Sequence, residues 1–157
     1  MYLDSAVIGP EGGHAAGRAL LKKMYEAAYG APMPPVCIAE RGKPYFENSA
    51  VHFSISHTKK RVFCAIGPHP IGIDAEEMDR DIDLHLADKI LSANELAQYH
   101  AASDRRLALL TFWVLKEAQA KYTGEGLRGY PNRTDFSLND PCVRQLDGCL
   151  VAIVTVQ

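Results

Sequence analysis

Two carboxylates stand two residues apart in the stretch GIDAE: Asp74 and Glu76, with Ala75 between them. In a strand that spacing sends both to one face. Acids side by side repel, and a divalent cation removes the cost. Mg2+ takes oxygen ligands, typically one or two carboxylates plus waters and substrate phosphates. A third acid, Glu117, lies in FWVLKEAQAKYTGEGL, residues 112–127, one helical turn after Trp113 and one before Lys121. Positions i, i+4 and i+8 share a helix face. From that face Glu117 would complete the Asp74/Glu76 set or act as a general base beside it, and Lys121 would meet a phosphate as a point charge. Two other places offer polar groups: Ser56 and His57 in SISHT, and Lys43 in RGKP.

Each of these has an ordinary explanation when taken alone. D-x-E is a common solvated strand end. Glu117 and Lys121 make an i,i+4 surface pair worth about 0.2–0.5 kcal/mol. His57 reads as a structural hairpin histidine, and Lys43 as a lysine on a turn. A Ser56–His57 nucleophile–base dyad is disfavoured, because adjacent strand residues face opposite ways and no G-x-S-x-G elbow is present. A hydroxyl and an imidazole at a strand end suit phosphate binding better.

The elements that must carry these groups follow from patterning. LDSAVIG, 3–9, reads as a strand closed by Gly9-Pro10. Residues 12–30 read as a helix striped by Ala16, Leu20, Met24 and Ala27/Ala28, with Gly30 as its stop. PMPP, 32–35, cannot continue it. A strand is expected over 36–40 and a turn-rich connection over 41–46. VHFSISHT, 51–58, alternates Val51, Phe53 and Ile55 against His52, Ser54 and Ser56, and pairs with RVFCAIG, 61–67, as a hairpin. PIGIDAE, 70–76, is a third strand, buried at its start and ending in acids. Helices are expected over about 82–90, from Ser92 with Glu95 as a capping box, and from Ser103 or Asp104 to Tyr122. TDFSL, 134–138, and CLVAIVTV, 149–156, read as closing strands. Strands clustered centrally and at the end favour an α+β fold over a doubly wound sheet.

The 157 residues suffice for one domain or two very small lobes, and 47% hydrophobic with 23% charged is an ordinary soluble composition. A net charge of −2 argues against a nucleic-acid partner, which needs a strongly basic face. Cys37, Cys64, Cys142 and Cys149 form no C-x-x-C pair and read as reduced core or strand thiols. There is no secretory signal pattern at the N-terminus, and no apolar stretch approaches the ~20 residues of a membrane span. The expected location is the cytoplasm, with no membrane partner.

Read in order, the chain gives G-K-P, F-x-I-S-H-T, G-I-D-x-E and W-x-x-K-E-A-x-x-K. This series resembles the 4′-phosphopantetheinyl transferase superfamily, and within it the group that modifies carrier proteins of surfactin-type peptide synthetases. The likeness runs from about residue 41 to 127, and DKILSANELAQY, 88–99, is similar to the segment between the family's acidic motifs. The resemblance implies two small α+β lobes, about 1–70 and 71–157, with a long helix packed on antiparallel strands. It implies transfer of the phosphopantetheine arm of coenzyme A to a serine of an apo acyl or peptidyl carrier protein, releasing adenosine 3′,5′-bisphosphate. Asp74 and Glu76 would hold Mg2+, and Glu117 would complete the metal site or deprotonate the serine. Lys121 would bind the pyrophosphate and support the leaving group, and Lys43, Ser56 and His57 would bind coenzyme A. Trp113 would pack the helix.

The chain departs from the family in its first lobe, which reads as abbreviated. Basic residues that longer members place ahead of the first helix have no clear match. Arg18, Lys22 and Lys23, or Lys59, Lys60 and Arg61, are the local substitutes, and the 59–61 turn is the one expected at the 3′-phosphate. Arg105, Arg106 and Arg128 are candidates for docking an acidic carrier, and a monomer is expected. Two other readings use the same residues: a Mg2+-dependent phosphodiesterase, and a scaffold that binds a carrier or coenzyme A without turnover.

Overall fold

Hydrophobic alternation and a helical stripe build the first half of the chain. The computed structural model describes residues 1–126 and 133–156. Strand β1 (Tyr2–Val7) is followed by α1 (Gly12–Tyr29), which ends at Gly30 in the left-handed conformation. Strands β2 (Val36–Ile38) and β3 (Pro44–Phe46) pair with each other as a small antiparallel ribbon. Strands β4 (His52–His57) and β5 (Arg61–Gly67) form the expected hairpin, and β1 adds to the far edge of β5, giving the order β1-β5-β4. α1 lays Ala16, Leu20, Leu21, Met24 and Tyr25 over Phe53, Val62, Cys64 and Ile66 of this sheet.

The second half starts at β6 (Ile71–Glu77). A 3-10 turn (Leu84–Leu86), the one-turn α2 (Ala87–Ile90), α3 (Ala93–Ala101) and the long α4 (Arg105–Thr123) follow. Strands β7 (Val143–Leu146) and β8 (Cys149–Thr155) close an antiparallel sheet of order β6-β8-β7. Leu109, Phe112, Leu115 and Ala118 of α4 are buried with Ile90, Leu91, Tyr99, Leu150 and Ala152. On the other side of β6 and β8, Ile71, Ile73, Ala75 and Val151 meet Phe63 and Ala65 of β5, so the two halves share a core.

The seam between the sheets is made by serines. Ser54 Oγ accepts from the Ile73 amide at 3.1 Å and Ser56 Oγ accepts from the Ala75 amide at 3.2 Å. Both steps run in the same direction, so β4 and β6 lie side by side in parallel sense. Hydroxyls stand where a paired strand would offer carbonyls, and buried amides need such an acceptor.

Several expectations are corrected. TDFSL forms no strand; its backbone is held by α3 side chains, with Phe136 N donating to Glu95 Oε1 and Leu138 N to Gln98 Oε1. The edge strand is instead β7, whose VRQL is half polar and carries no alternation signal. Residues 82–90 are not one helix but a 3-10 turn, capped by Asp83, leading into a single α turn. Residues 44–46, expected as turn, pair with β2. The capping box at Ser92 and Glu95 is formed. All four cysteines are free, and burial pushes the Cys64 thiol up to about 12, which leaves it inert. No helix among the described residues is long and apolar enough to cross a membrane.

Candidate active site

The site lies where the acid end of β6 meets the C-terminal half of α4. One glycine sets this distance. A Cβ on Gly72 would fall 1.9 Å from the Ala118 carbonyl oxygen and 2.4 Å from the Tyr122 amide nitrogen. Only a residue with no side chain lets the helix lie directly on the strand. The helix face so presented carries Trp113, Glu117 and Lys121, all three in the wall of a cavity of about 350 Å³ that Ser56, His57, Asp74, Glu76 and Arg80 also line.

Asp74 is 6% exposed, and its two oxygens have unequal surroundings. Oδ1 accepts from Ser56 Oγ at 2.9 Å and from Lys121 Nζ at 2.7 Å. Oδ2 is buried and has no hydrogen-bond partner. The pair expected between Glu117 and Lys121 is thus replaced by one between Lys121 and Asp74. Glu76 pairs with Arg80, whose guanidinium carbon sits 5.7 Å from the Trp113 ring centroid. Burial, and after it the negative charge of Asp74, raises the Glu117 carboxyl above the usual carboxylate range, against the opposing pull of Lys121. Glu76 is also raised, chiefly by burial, with Arg80 opposing.

These donors suit a hard divalent cation. A buried carboxylate oxygen without a partner, beside two acids whose ionised forms are disfavoured, is relieved by one. The three acids share one groove but do not form a closed cage: among the described residues no three His, Cys, Asp or Glu side chains are grouped to hold an ion. Substrate oxygens would complete the shell, as Mg2+ sites use them.

The remaining candidates are distributed around this centre. Ser56 is buried, and its hydroxyl is committed to Asp74 and to the Ala75 amide. Its place is behind the carboxylate, steering it. His57, on the opposite face of β4, lies against the start of α1, where a Cβ on Gly13 would sit 2.7 Å from the ring. Lys43 donates to the Tyr122 carbonyl at 2.8 Å and to the Ile71 carbonyl at 3.4 Å, tying the end of α4 to the start of β6. Burial lowers its ammonium pKa. It lines a second cavity, of about 270 Å³, that reaches the first through Glu117 and Lys121.

In the 59–61 turn, Lys60 pairs with Glu77 at 3.7 Å and Arg61 with Asp147 at 3.1 Å, and Lys59 lines a cavity together with His57. Lys22 and Lys23 pair with Glu26 and Asp4. Arg106 holds the Met78 and Arg80 carbonyls at 3.0 and 2.9 Å, Arg105 lies over the Tyr99 ring, and Arg128 falls outside the described residues. Arg80 was not among the sequence candidates. A basic residue four positions after Glu76 was the available signal.

A family model described as the 4′-phosphopantetheinyl transferase superfamily matches residues 70–148, just over half of the chain, and the chain belongs to that family. The matched span carries Asp74, Glu76, Glu117 and Lys121. Among curated relatives, 4′-phosphopantetheinyl transferase gsp of Aneurinibacillus migulanus is 36% identical over 90 residues, 56% of this chain and 37% of the relative. Psf-1 of Bacillus pumilus, also a 4′-phosphopantetheinyl transferase, is 32% identical over 116 residues, 71% of this chain and 49% of its own length. Sfp of Bacillus subtilis (strain 168), with the same description, is 34% identical over 91 residues, 56% and 40% respectively. The chain thus spans about half the length, or less, of these relatives.

Proposed function

We propose that the chain transfers the 4′-phosphopantetheine arm of coenzyme A to a serine of an apo carrier protein, with Mg2+ at the acid end of β6. The observation that carries this reading is Asp74: one oxygen gripped from two sides, the other buried, unpartnered and beside Glu76 and Glu117. Family membership supports the group transferred.

The reaction needs little covalent chemistry from the enzyme. The carrier serine oxygen forms a bond to the phosphorus bearing the pantetheine arm. The bond from that phosphorus to the leaving adenosine 3′,5′-bisphosphate breaks. Positioning and charge stabilisation dominate such transfers. A bound Mg2+ would supply positive charge to offset the negative charge of the pyrophosphate. Asp74 Oδ2 and Glu76 would hold it. Lys121, fixed on Asp74, presents its charge to the pyrophosphate on the leaving side. Glu117, with raised proton affinity, takes the serine proton, directly or through a water. Ser56 positions Asp74, and Lys43 fixes the helix end beside the second cavity. His57 and Lys59 line a neighbouring cavity, and they are the groups there that would meet the outer phosphate of coenzyme A.

Product analysis tests this. With coenzyme A, Mg2+ and an apo carrier, adenosine 3′,5′-bisphosphate is expected only when all three are present. Its release without any carrier would make the protein a phosphodiesterase. Coenzyme A binding with no release, across carriers of fatty-acid, polyketide and peptide synthesis, would make it a scaffold.

A further inference from the structure

The two β6 acids differ in how ready they are for a cation. Asp74 keeps a buried oxygen without a partner, because Lys121 and Ser56 both use the other one. A cation can therefore reach Asp74 without moving either. Glu76 is not free in this sense: its carboxylate is taken by the Arg80 guanidinium. Arg80 is meanwhile stacked over Trp113, on the helix face that carries Glu117 and Lys121.

Arg80 stands between two cavities on a fixed main chain. Its main chain is fixed, since Arg106 of α4 donates to the carbonyls of both Met78 and Arg80. Its side chain is 40% exposed and lines two cavities. One is the Asp74–Glu117–Lys121 groove. The other, of about 990 Å³, is lined by Glu76, Glu77, Asp79 and Asp81 together with His57 and Lys59. A guanidinium displaced from Glu76 would have open space and further acids beside it.

We propose that Arg80 is the resident counter-ion of the metal site, paired with Glu76 and stacked on Trp113 while no cation is bound, and displaced into the neighbouring cavity when a divalent cation takes the Glu76 carboxylate. This rests on the metal reading above and deepens it. Arg80 makes the cation weakly held by the protein alone. Full affinity comes when an anionic pyrophosphate adds its own oxygens and attracts the freed guanidinium. Cation and substrate binding are thereby coupled, and by linkage each strengthens the other equally.

The test uses the protein without coenzyme A. Mn2+ binding is measured by electron paramagnetic resonance for the wild type, Arg80→Gln and Arg80→Lys. Mg2+ titrations are followed by tryptophan emission, which reports on this site because Trp113 is the only tryptophan in the chain. Removing the competitor is expected to tighten Mn2+ binding roughly fivefold in Arg80→Gln, the scale of a partly exposed ion pair. Arg80→Lys, which keeps the charge, should fall between. Mg2+ should change wild-type emission over the concentrations at which it binds, and leave Arg80→Gln emission unmoved. Equal Mn2+ affinities would overturn the proposal. So would tighter binding in Arg80→Gln with wild-type emission indifferent to Mg2+, since that is a long-range charge effect without displacement. No cation bound by any of the three proteins would overturn this proposal, and a repeat with coenzyme A present then separates it from the metal reading, which fails only if Mn2+ is still not bound.

Discussion

Lys121 Nζ on α4 lies 2.7 Å from Asp74 Oδ1 on β6, and Ser56 Oγ on β4 lies 2.9 Å from that same oxygen. Three elements thus converge on one atom and leave its twin buried without a partner. Ser56→Ala removes one grip and also strands the Ala75 amide, which has Ser56 Oγ as its acceptor. A buried donor left unpaired costs about 1–3 kcal/mol, so urea denaturation should show a loss of that size. The same variant should weaken Mn2+ binding, because Asp74 is then held by Lys121 alone. Unchanged cation affinity would deny Ser56 a positioning role.

Gly72 tests the architecture behind that convergence. A methyl there meets backbone atoms of Ala118 and Tyr122, which cannot rotate away as a side chain would. Gly72→Ala should cost at least the about 1–3 kcal/mol typical of overpacking. It should also abolish transfer by pushing Glu117 and Lys121 off β6. A thermal melt and a transfer assay read the two effects, and a stable, active Gly72→Ala would show that the close approach is dispensable.

Glu117 carries a sign that can be checked by pH. Its carboxyl is raised by burial first and by the neighbouring acids, so the folded protein favours the protonated form. Between the ordinary carboxylate value and the raised one, the native state binds more protons than the unfolded chain. Stability therefore falls as pH rises through that window, and the penalty is absent below it. Glu117→Gln should be at least as stable as the wild type near neutral pH, with the two converging below about pH 4, while its transfer rate drops by orders of magnitude. Denaturation at both pH values measures it. A Glu117→Gln protein less stable at neutral pH would reverse the sign.

Behind α4 sits a buried ion pair that the chemistry does not touch. Lys116 Nζ lies 2.7 Å from Glu95 Oε2, with both side chains almost wholly enclosed, and Lys116 also donates to the Thr134 carbonyl at 2.9 Å. Removing one member of such a pair typically costs about 3–5 kcal/mol, whereas replacing both by apolar groups costs far less. Lys116→Met alone should therefore be more damaging than Lys116→Met combined with Glu95→Gln, which removes the unpaired charge and keeps an acceptor for the Phe136 and Ser92 amides, as read by a double-mutant denaturation cycle. Additive losses would mean that the two groups do not sense each other.

Much of the scaffold was legible because it repeats. The α1 stripe, the 51–67 hairpin, the Ser92 capping box and α4 each carry a period or a cap that stands in the sequence. The D-x-E spacing and the Trp113–Glu117–Lys121 face likewise picked out side chains that line one groove. What stayed hidden depends on partners distant in sequence. Nothing local shows that Ser54 and Ser56 replace strand carbonyls along β6. TDFSL alternates like a strand, but Glu95 and Gln98 satisfy its backbone, so it needs no sheet. VRQL becomes a strand only by pairing with β8. Lys121 could be placed on a face from spacing. Its pairing with Asp74 crosses from α4 to β6, and no local pattern in the sequence records that contact.

The most direct test of the account is intact mass spectrometry of an apo carrier protein incubated with this chain, coenzyme A and Mg2+, alongside Asp74→Asn and a chelator control. A mass gain of one phosphopantetheine with the wild type, lost in Asp74→Asn and in chelator, is the expected result. A gain that persists undiminished in both would contradict the assignment of Asp74 and its cation. The absence of any gain, on every carrier class and with coenzyme A bound, would contradict transfer itself.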